Sequence, residues 1–368
     1  MRELVCLDLD LDATFVDRVA RAWDDGDAVF PLDRRLPAPA RDTLLAVVRP
    51  TVICDASGDR RADGEPVETG DAVVVATSGT TGTPKAAVLT LDAVEASARA
   101  TSSRLGVGVD DAWFACLPPA HVGGFSVVAR ALLTGTRLLT AARFSPEAYA
   151  AAAHDGATLV SLVATALARV DASLYRTIVL GGSRPPADRP RNCVATYGMT
   201  ETGSGVVYDG TPLENVEIDV RDGIIHVRGP MLLRTYRGAP SPIDANGWFR
   251  TGDVGSFADG RLSVDGREGD MIVTGGEKVW PEQVESVLAL SPEIADVCVA
   301  GVTDPEWGDA VHAWVVPSTA TPPTLDDLRA LAKEHLPPWC APRALHIISE
   351  IPRTALGKPI RHALPGRA

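Results

Sequence analysis

Four short apolar runs limit what the first half of this chain can fold into. VVVAT (73–77), AWFACL (112–117), ATLVSLV (157–163) and TIVLG (177–181) are each bounded by Gly, Pro, Asp or Ser. Runs this short, without polar alternation, read as buried strands. Helical patterns lie between them. Residues 91–104 (LDAVEASARATSSR) follow Thr90, which can cap a helix, and 146–154 follow Ser145 with Pro146 in the first turn. Strands that alternate with helices imply βαβ units and an α/β sheet.

The second half has a different rhythm. Residues 216–229 (VEIDVRDGIIHVRG) read as a hairpin turning at Asp222-Gly223, and 255–266 (GSFADGRLSVDG) as another turning at Asp259-Gly260. Past residue 270 the pattern predicts a helix over 282–290, strands over 295–302 and 310–316, a helix over 324–335 and a strand over 343–349. That is a compact α+β unit of roughly 100 residues, a common domain size. The polar, glycine-rich DGREGD stretch (265–270) separates the two patterns. The expected fold class is therefore α/β. A large N-terminal domain, 1–268, would hold layered α/β sheets and a β-rich subdomain. A hinge at 269–270 would lead to a small, mobile α+β domain over 271–368.

Composition narrows the function. The 368 residues are 45% hydrophobic and 23% charged, as in an ordinary globular protein. A net charge of −13 without a long run of either sign argues against a nucleic-acid partner, which usually wants a basic stripe. The six cysteines show no C-x-x-C pairing, which opposes a zinc site or disulfide framework. The start, MRELVCLDLDLDATF, lacks the basic-then-apolar pattern of a secretion signal. No apolar run approaches membrane-spanning length. A cytoplasmic protein with no membrane insertion is expected.

ATSGTTGTPKAAV (76–88) follows a strand and precedes a helical pattern. Thr77, Ser78, Thr80, Thr81 and Thr83 offer hydroxyls, Gly79 and Gly82 permit close backbone approach, and Lys85 supplies charge. Such a loop can wrap phosphate oxygens. It is not the G-x-x-x-x-G-K-[ST] loop, because Pro84 separates Gly82-Thr83 from Lys85 and no Ser or Thr follows. Lysine is scarce here: Lys85, Lys278, Lys333 and Lys358 stand against 31 arginines. A compact ammonium and a planar guanidinium are not interchangeable at a tight anionic site. Lys358, in IPRTALGKPI near the end, is therefore singled out.

These segments resemble the adenylate-forming superfamily of acyl-CoA synthetases, peptide-synthetase adenylation domains and luciferases. The loop at 76–88 resembles its signature loop. YGMTETG (197–203), GWFRTGDVG (247–255), GREGDMIVTGGEKVWPEQVE (266–285) and PRTALGKPIR (352–361) resemble four further segments, in the family's order. Together they cover nearly everything after residue 70.

The resemblance implies ATP, Mg²⁺ and coenzyme A as reactants and a small carboxylic acid as substrate. Activation brings two anions together, so catalysis is mostly charge neutralisation and alignment. Lys358 would bridge the acid's carboxylate and the α-phosphate. Thr200 would contact phosphate, and Glu201 would ligate Mg²⁺. Gly181, Gly182 and Ser183 would pack on adenine, with Tyr197, Gly198 and Met199 beside them. Asp253 and Arg267 would hold the ribose. Asp270 would be the hinge, and Gly275-Gly276 would line the passage for the thiol arm, with Lys278 beside it. His121, in LPPAHVGGF (117–125), would border the acid pocket. Each also has a bland reading: a surface lysine, an N-cap at Thr200, an Asx turn at Asp253, a structural histidine.

Only about 75 residues precede the phosphate loop, which resembles the shortened o-succinylbenzoate–CoA ligases of actinobacteria, in menaquinone synthesis. That acid has a ring and two carboxylates. Its pocket needs apolar walls and one positive group, for which Arg184, Arg143 and Arg176 are candidates. Another aryl- or acyl-CoA ligase would share every motif. A stand-alone adenylation enzyme would need a carrier protein in trans, since no carrier-like Ser motif is present. A catalytically inactive nucleotide-binding protein is opposed by intact Lys358, Glu201 and Asp253. A homodimer is compatible with the family, and nothing in the residues requires it.

Overall fold

The computed structural model describes residues 2–77, 84–182, 185–186, 188–353 and 359–367. The chain divides into two compact units, Met1–Ile218 with Val227–Arg250, and Asp219–His226 with Thr251–Ala368. The expected boundary at 268–270 and this division differ in where they put residues 219–226 and 251–268.

The first unit contains two seven-stranded sheets. One has the order Thr211–Pro212, Gly205–Tyr208, Cys193–Gly198, Thr177–Leu180, Leu159–Leu162, Ala112–Ala115, Arg137–Thr140. Its five strands from Cys193–Gly198 to Arg137–Thr140 are all parallel. The apolar runs seen in the sequence form three of them, with Val160, Leu162, Ile178 and Leu180 in one buried cluster with Phe114 and Tyr149. Thr90 and Ser145 cap their helices, Leu91–Leu105 and Pro146–His154, as expected. A third helix, Val122–Thr134, packs on Leu91–Leu105.

The other sheet runs Thr235–Tyr236, Lys85–Thr90, Asp71–Thr77, Ala28–Pro31, Leu4–Leu7, Val52–Asp55, Gly58–Arg61. Four of its seven strands precede residue 62, a stretch where the sequence reading assigned no element. Between that loop and the expected helix at 91–104 lies a strand that the sequence does not predict. Lys85–Thr90 is a strand antiparallel to Asp71–Thr77, with Thr77 opposite Lys85. The helix starts only at Leu91. Ala86, Ala87, Val88 and Leu89 are all buried, and β-branched and apolar residues held on both faces favour pairing over a helical turn.

A four-stranded antiparallel sheet has the order Glu217–Arg221, Ile224–Arg228, Phe249–Ala258, Arg261–Arg267, and the division into units runs through it. Both expected hairpin turns are present. Asp222 and Gly223 have φ of 50° and 80°, and Asp259 and Gly260 have 51° and 72°. Two successive positive φ values match the twist of the flanking strands, and Asp-Gly adopts them readily.

In the second unit, a sheet joins Glu277–Val279, Ile272–Thr274, Gly308–Pro317 and Ile294–Asp304, with Ala344–Ile347 parallel to Gly308–Pro317. Helices Pro281–Leu288 and Leu325–His335 cover one face, and their Val284, Leu288 and Leu328 pack with Val299, Val311 and Val315. Glu282 lies in the first turn of Pro281–Leu288. Its Oε2 is buried with no partner among the described residues. Burial pushes this carboxyl above its ordinary 4.5, against the pull of Arg361. A carboxyl raised in the folded state favours folding below 4.5 and loses that contribution as pH rises through its folded value. Glu282→Gln should therefore raise Tm at pH 8, with the gain fading as pH falls to 4.5. Melting curves at the two pH values check this, and a lower Tm at pH 8 would contradict it.

Candidate active site

Parallel pairing makes the loops after strands Ala112–Ala115, Leu159–Leu162, Thr177–Leu180 and Cys193–Gly198 leave the sheet at one end. In open α/β sheets that carboxyl end is where ligands bind. Three of the sequence-predicted groups emerge there: His121, Gly181-Gly182 and Tyr197 to Glu201.

Gly181 and Gly182 directly follow Thr177–Leu180. Gly182 has φ +87°, and a side chain on Gly181 would crowd Thr196 Oγ1 at 3.2 Å. On the neighbouring strand, a Cβ on Gly198 would lie 2.2 Å from the Ser204 carbonyl oxygen. Only glycine permits that approach, so Tyr197-Gly198-Met199 is held tightly against the returning chain. Next comes a 3-10 turn, Thr200–Thr202. Thr202 is fully buried and accepts the Met199 amide proton at 2.9 Å. The turn is thus fixed from below, and it presents Thr200 and Glu201.

Glu201 is tied to the first unit's other sheet. Tyr236 donates its hydroxyl to Glu201 Oε1 at 2.8 Å. Tyr236 pairs with Ala87 in the strand that closes the phosphate-loop hairpin, and Lys85 Nζ stands 5.1 Å from the Tyr236 ring centre. Thr77 and Lys85 face each other at the base of that hairpin. Ser78, Gly79, Thr80, Thr81, Gly82 and Thr83 lie outside the described residues, as do Ser183, Arg184 and Lys358.

Among the described residues no three His, Cys, Asp or Glu side chains form a group that could hold a metal. Glu201 nonetheless suits Mg²⁺ arriving with a nucleotide, because that ion commonly takes one or two carboxylates and completes its shell with phosphate and water. The Tyr236 hydroxyl orients the carboxylate for such a role.

His121 precedes helix Val122–Thr134 at its N-cap. Its Nε2 lies 3.2 Å from Asp33 Oδ2 and 3.0 Å from Arg35 Nη2. Arg35 also grips Asp33 through two nitrogens, at 2.8 and 2.7 Å. Burial pushes the Asp33 carboxyl up, but the bonds from Arg35 and His121 outweigh it and hold it well below the usual carboxylate range. An ion pair from the chain's first 35 residues thus fixes the His121 ring.

Arg130 and Tyr236 were not singled out in the sequence. Arg130 is 1% exposed. Its guanidinium stacks 4.7 Å from the Trp113 ring centre, and Nη2 reaches Ser204 Oγ at 3.4 Å. Nε and Nη1 are buried without a partner among the described residues. The signal was legible: one charge in the apolar helix VGGFSVVARALLT. Of the arginines proposed earlier, Arg176 is committed to Asp111 and the Leu105 carbonyl, and Arg143 is exposed.

The remaining expected residues belong to the second unit. Asp253 and Arg267 face each other across paired strands, with Nε 3.6 Å from Oδ1. Asp270 ends a 3-10 turn, Glu268–Asp270. Gly275 and Gly276 form the turn of hairpin Ile272–Thr274/Glu277–Val279, with φ of 59° and 86°. A Cβ on Gly275 would sit 2.9 Å from the Trp307 ring. Lys278 is exposed on that hairpin's second strand.

Residues 32–237 match the family model for "AMP-binding enzyme", and 283–358 match "AMP-binding enzyme C-terminal domain". The chain belongs to the AMP-binding enzyme family. It is 38% identical over 334 residues to a "Probable 2-succinylbenzoate--CoA ligase" of Mycobacterium tuberculosis, covering 83% of this chain and 86% of that one. It is 32% identical over 333 residues to a "2-succinylbenzoate--CoA ligase" of Bacillus licheniformis, covering 80% and 69%. Among solved structures, "o-Succinylbenzoate CoA Synthetase (MenE) from Bacillus Subtilis in Complex with the Acyl-adenylate Intermediate OSB-AMP" superposes with a TM-score of 0.87 at 27% identity, over 99% of this chain and 88% of that one. The α/β fold expected from the sequence is thus that of AMP-binding enzymes. No described helix is long and apolar enough to cross a membrane.

If Tyr236 orients Glu201, Tyr236→Phe should raise the Mg²⁺ concentration needed for half-maximal activity and lower kcat/KM for ATP roughly fivefold, the worth of one hydrogen bond of about 1 kcal/mol. Initial rates across a Mg²⁺ titration check this.

Proposed function

We propose that this AMP-binding enzyme is an ATP-dependent carboxylate–CoA ligase whose acid is o-succinylbenzoate. What carries the reading is the convergence of His121, Gly181-Gly182 and the Tyr197–Glu201 segment at one end of a parallel sheet, with Glu201 bonded to Tyr236 beside the phosphate-loop hairpin. The names of the relatives support the substrate.

In the first step a carboxylate oxygen of the acid attacks the α-phosphorus and the bond to pyrophosphate breaks. Thr200, Lys85 and the loop at 77–83 hold phosphate oxygens. Glu201 holds Mg²⁺, which neutralises phosphate charge when bound. Gly181, Gly182, Ser183 and Tyr197 to Met199 seat adenine, and Asp253 and Arg267 seat the ribose. Lys358 places its ammonium between the two reacting anions, where a positive charge lowers the barrier most. In the second step the CoA thiol attacks the acyl carbon and AMP leaves. Asp270 is the hinge that turns the C-terminal domain between steps, and Gly275-Gly276 give the thiol arm room.

Arg130 reads the spectator carboxylate. A buried guanidinium with two nitrogens unpartnered among the described residues is costly unless an anion meets it. Arg130→Met should therefore leave Tm equal or higher. It should raise KM for o-succinylbenzoate about 10- to 100-fold, the worth of a lost charge-assisted pair. A monocarboxylic aryl acid should be indifferent to the change.

Pyrophosphate release with ATP and a panel of acids, followed by thioester formation with CoA, tests the whole reading. Release selective for o-succinylbenzoate is expected, and no release with any acid would overturn it. Lys358→Ala should lose release by several orders of magnitude, given the typical worth of such preorganised charge. It should still form thioester from supplied acyl-adenylate. Light scattering tests the homodimer compatible with the family.

A further inference from the structure

Arg361 is the most heavily committed cation described in the second unit. Its side chain is 10% exposed. Nη1 donates to Asp270 Oδ2 at 3.1 Å, Nη2 lies 2.9 Å from Glu285 Oε1 and 3.1 Å from Glu282 Oε1, and Nε donates to the Val299 carbonyl at 3.0 Å. Three carboxylates from two elements thus converge on one guanidinium. Asp270 comes from the turn Glu268–Asp270, and the two glutamates from helix Pro281–Leu288.

Arg361 stands three residues after Lys358. The chain on the two sides of residues 354–358 is joined at its base. Arg353 bridges Pro359, and the Ile360 amide donates to the Pro352 carbonyl at 2.8 Å. Arg353 bonds both oxygens of Asp296, at 2.6 and 3.2 Å. Ile351 and Leu364 are buried with Cys298, Ala300 and Trp314. Most of these bonds anchor the tail to its own sheet. The Arg361–Asp270 bond differs, because it joins the tail to the residue proposed as the hinge.

We propose that Arg361 is a positioning residue for adenylation: through Asp270 it locks the base of the Lys358 loop to the hinge turn, so that hinge and lysine move as one piece. This rests on the reading of the chain as an acid–CoA ligase. A lysine delivered by a turning domain works only if its anchor does not slip, since small misplacements of a reacting charge cost large factors in rate. Only a guanidinium serves such a junction. Its planar fork meets several carboxylates at once, which a single ammonium cannot do. The excess of negative charge around it, with Glu282 Oε2 unpaired among the described residues, also makes Arg361 the group whose loss would drive these elements apart.

The test separates the half-reactions. Arg361→Met should slow pyrophosphate release at least about tenfold, while thioester formation from supplied acyl-adenylate stays within about threefold of wild type. Arg361→Lys, which keeps a positive charge among Glu282 and Glu285 but cannot meet all three carboxylates at once, should show the same split and covers the case in which Arg361→Met fails to fold. Equal losses in both half-reactions, or no loss in either, would overturn the proposal. Hydrogen exchange reads the anchor without any substrate. Amides of Arg353, Ile360, Arg361 and His362 should exchange faster in either variant, with strands Ile294–Asp304 and Gly308–Pro317 unchanged. Unaltered exchange would also sink it. Wild-type pyrophosphate release tests the ligase reading itself, so the two failures stay distinct.

Discussion

The candidate site depends on strand direction. Five strands, from Cys193–Gly198 to Arg137–Thr140, run parallel, so the loops after them open at one end. Parallel strands need long crossovers, and here helices Val122–Thr134 and Pro146–His154 supply the first two in chain order. The crossover geometry explains why His121 and Thr200, 79 residues apart, belong to one edge. Were any of these strands reversed, its site residues would leave at the opposite end.

Two buried arginines show how the same side chain serves different ends. Arg361 is surrounded by acids, and burial there is offset by charge-assisted bonds. Among the described residues, Arg130 meets a serine hydroxyl and an aromatic face, and two of its nitrogens find no partner. The first arrangement holds a structure together. The second leaves a desolvated charge uncompensated among the described residues, which is costly to the resting fold. His121 is restrained differently, with its ring nitrogen within hydrogen-bond distance of both members of the Asp33–Arg35 ion pair.

Much of this was legible in the residues. Apolar runs bounded by glycine marked the parallel strands, Thr90 and Ser145 marked helix starts, and two Asp-Gly pairs marked hairpins, because each rests on local backbone chemistry. The strand Lys85–Thr90 was not legible: its apolar run carries no local sign of a partner, and pairing with Asp71–Thr77 decided it. The N-terminal strands were missed for a related reason. Leu4–Leu7 and Val52–Asp55 are four residues each, and their neighbours lie some fifty positions apart. Tyr236 carries no sequence signal of its own; its hydrogen bond to Glu201 is what singles it out.

The sequence by itself determined which chemistry is available: a Gly/Thr-rich loop, an acid beside a threonine, an aspartate and an arginine fourteen residues apart, and a rare lysine near the end. Those depend on residue type and short spacing, which the chain carries everywhere along its length. Only the tertiary structure decided which charges are spent and which are left over. Arg176, Arg353 and Arg361 are bound to acids far from them in the chain, while Arg130 is buried with little to meet it. Whether a charge is paired or starved is set by desolvation and by neighbours brought in from distant segments, and neither quantity exists until the chain has folded.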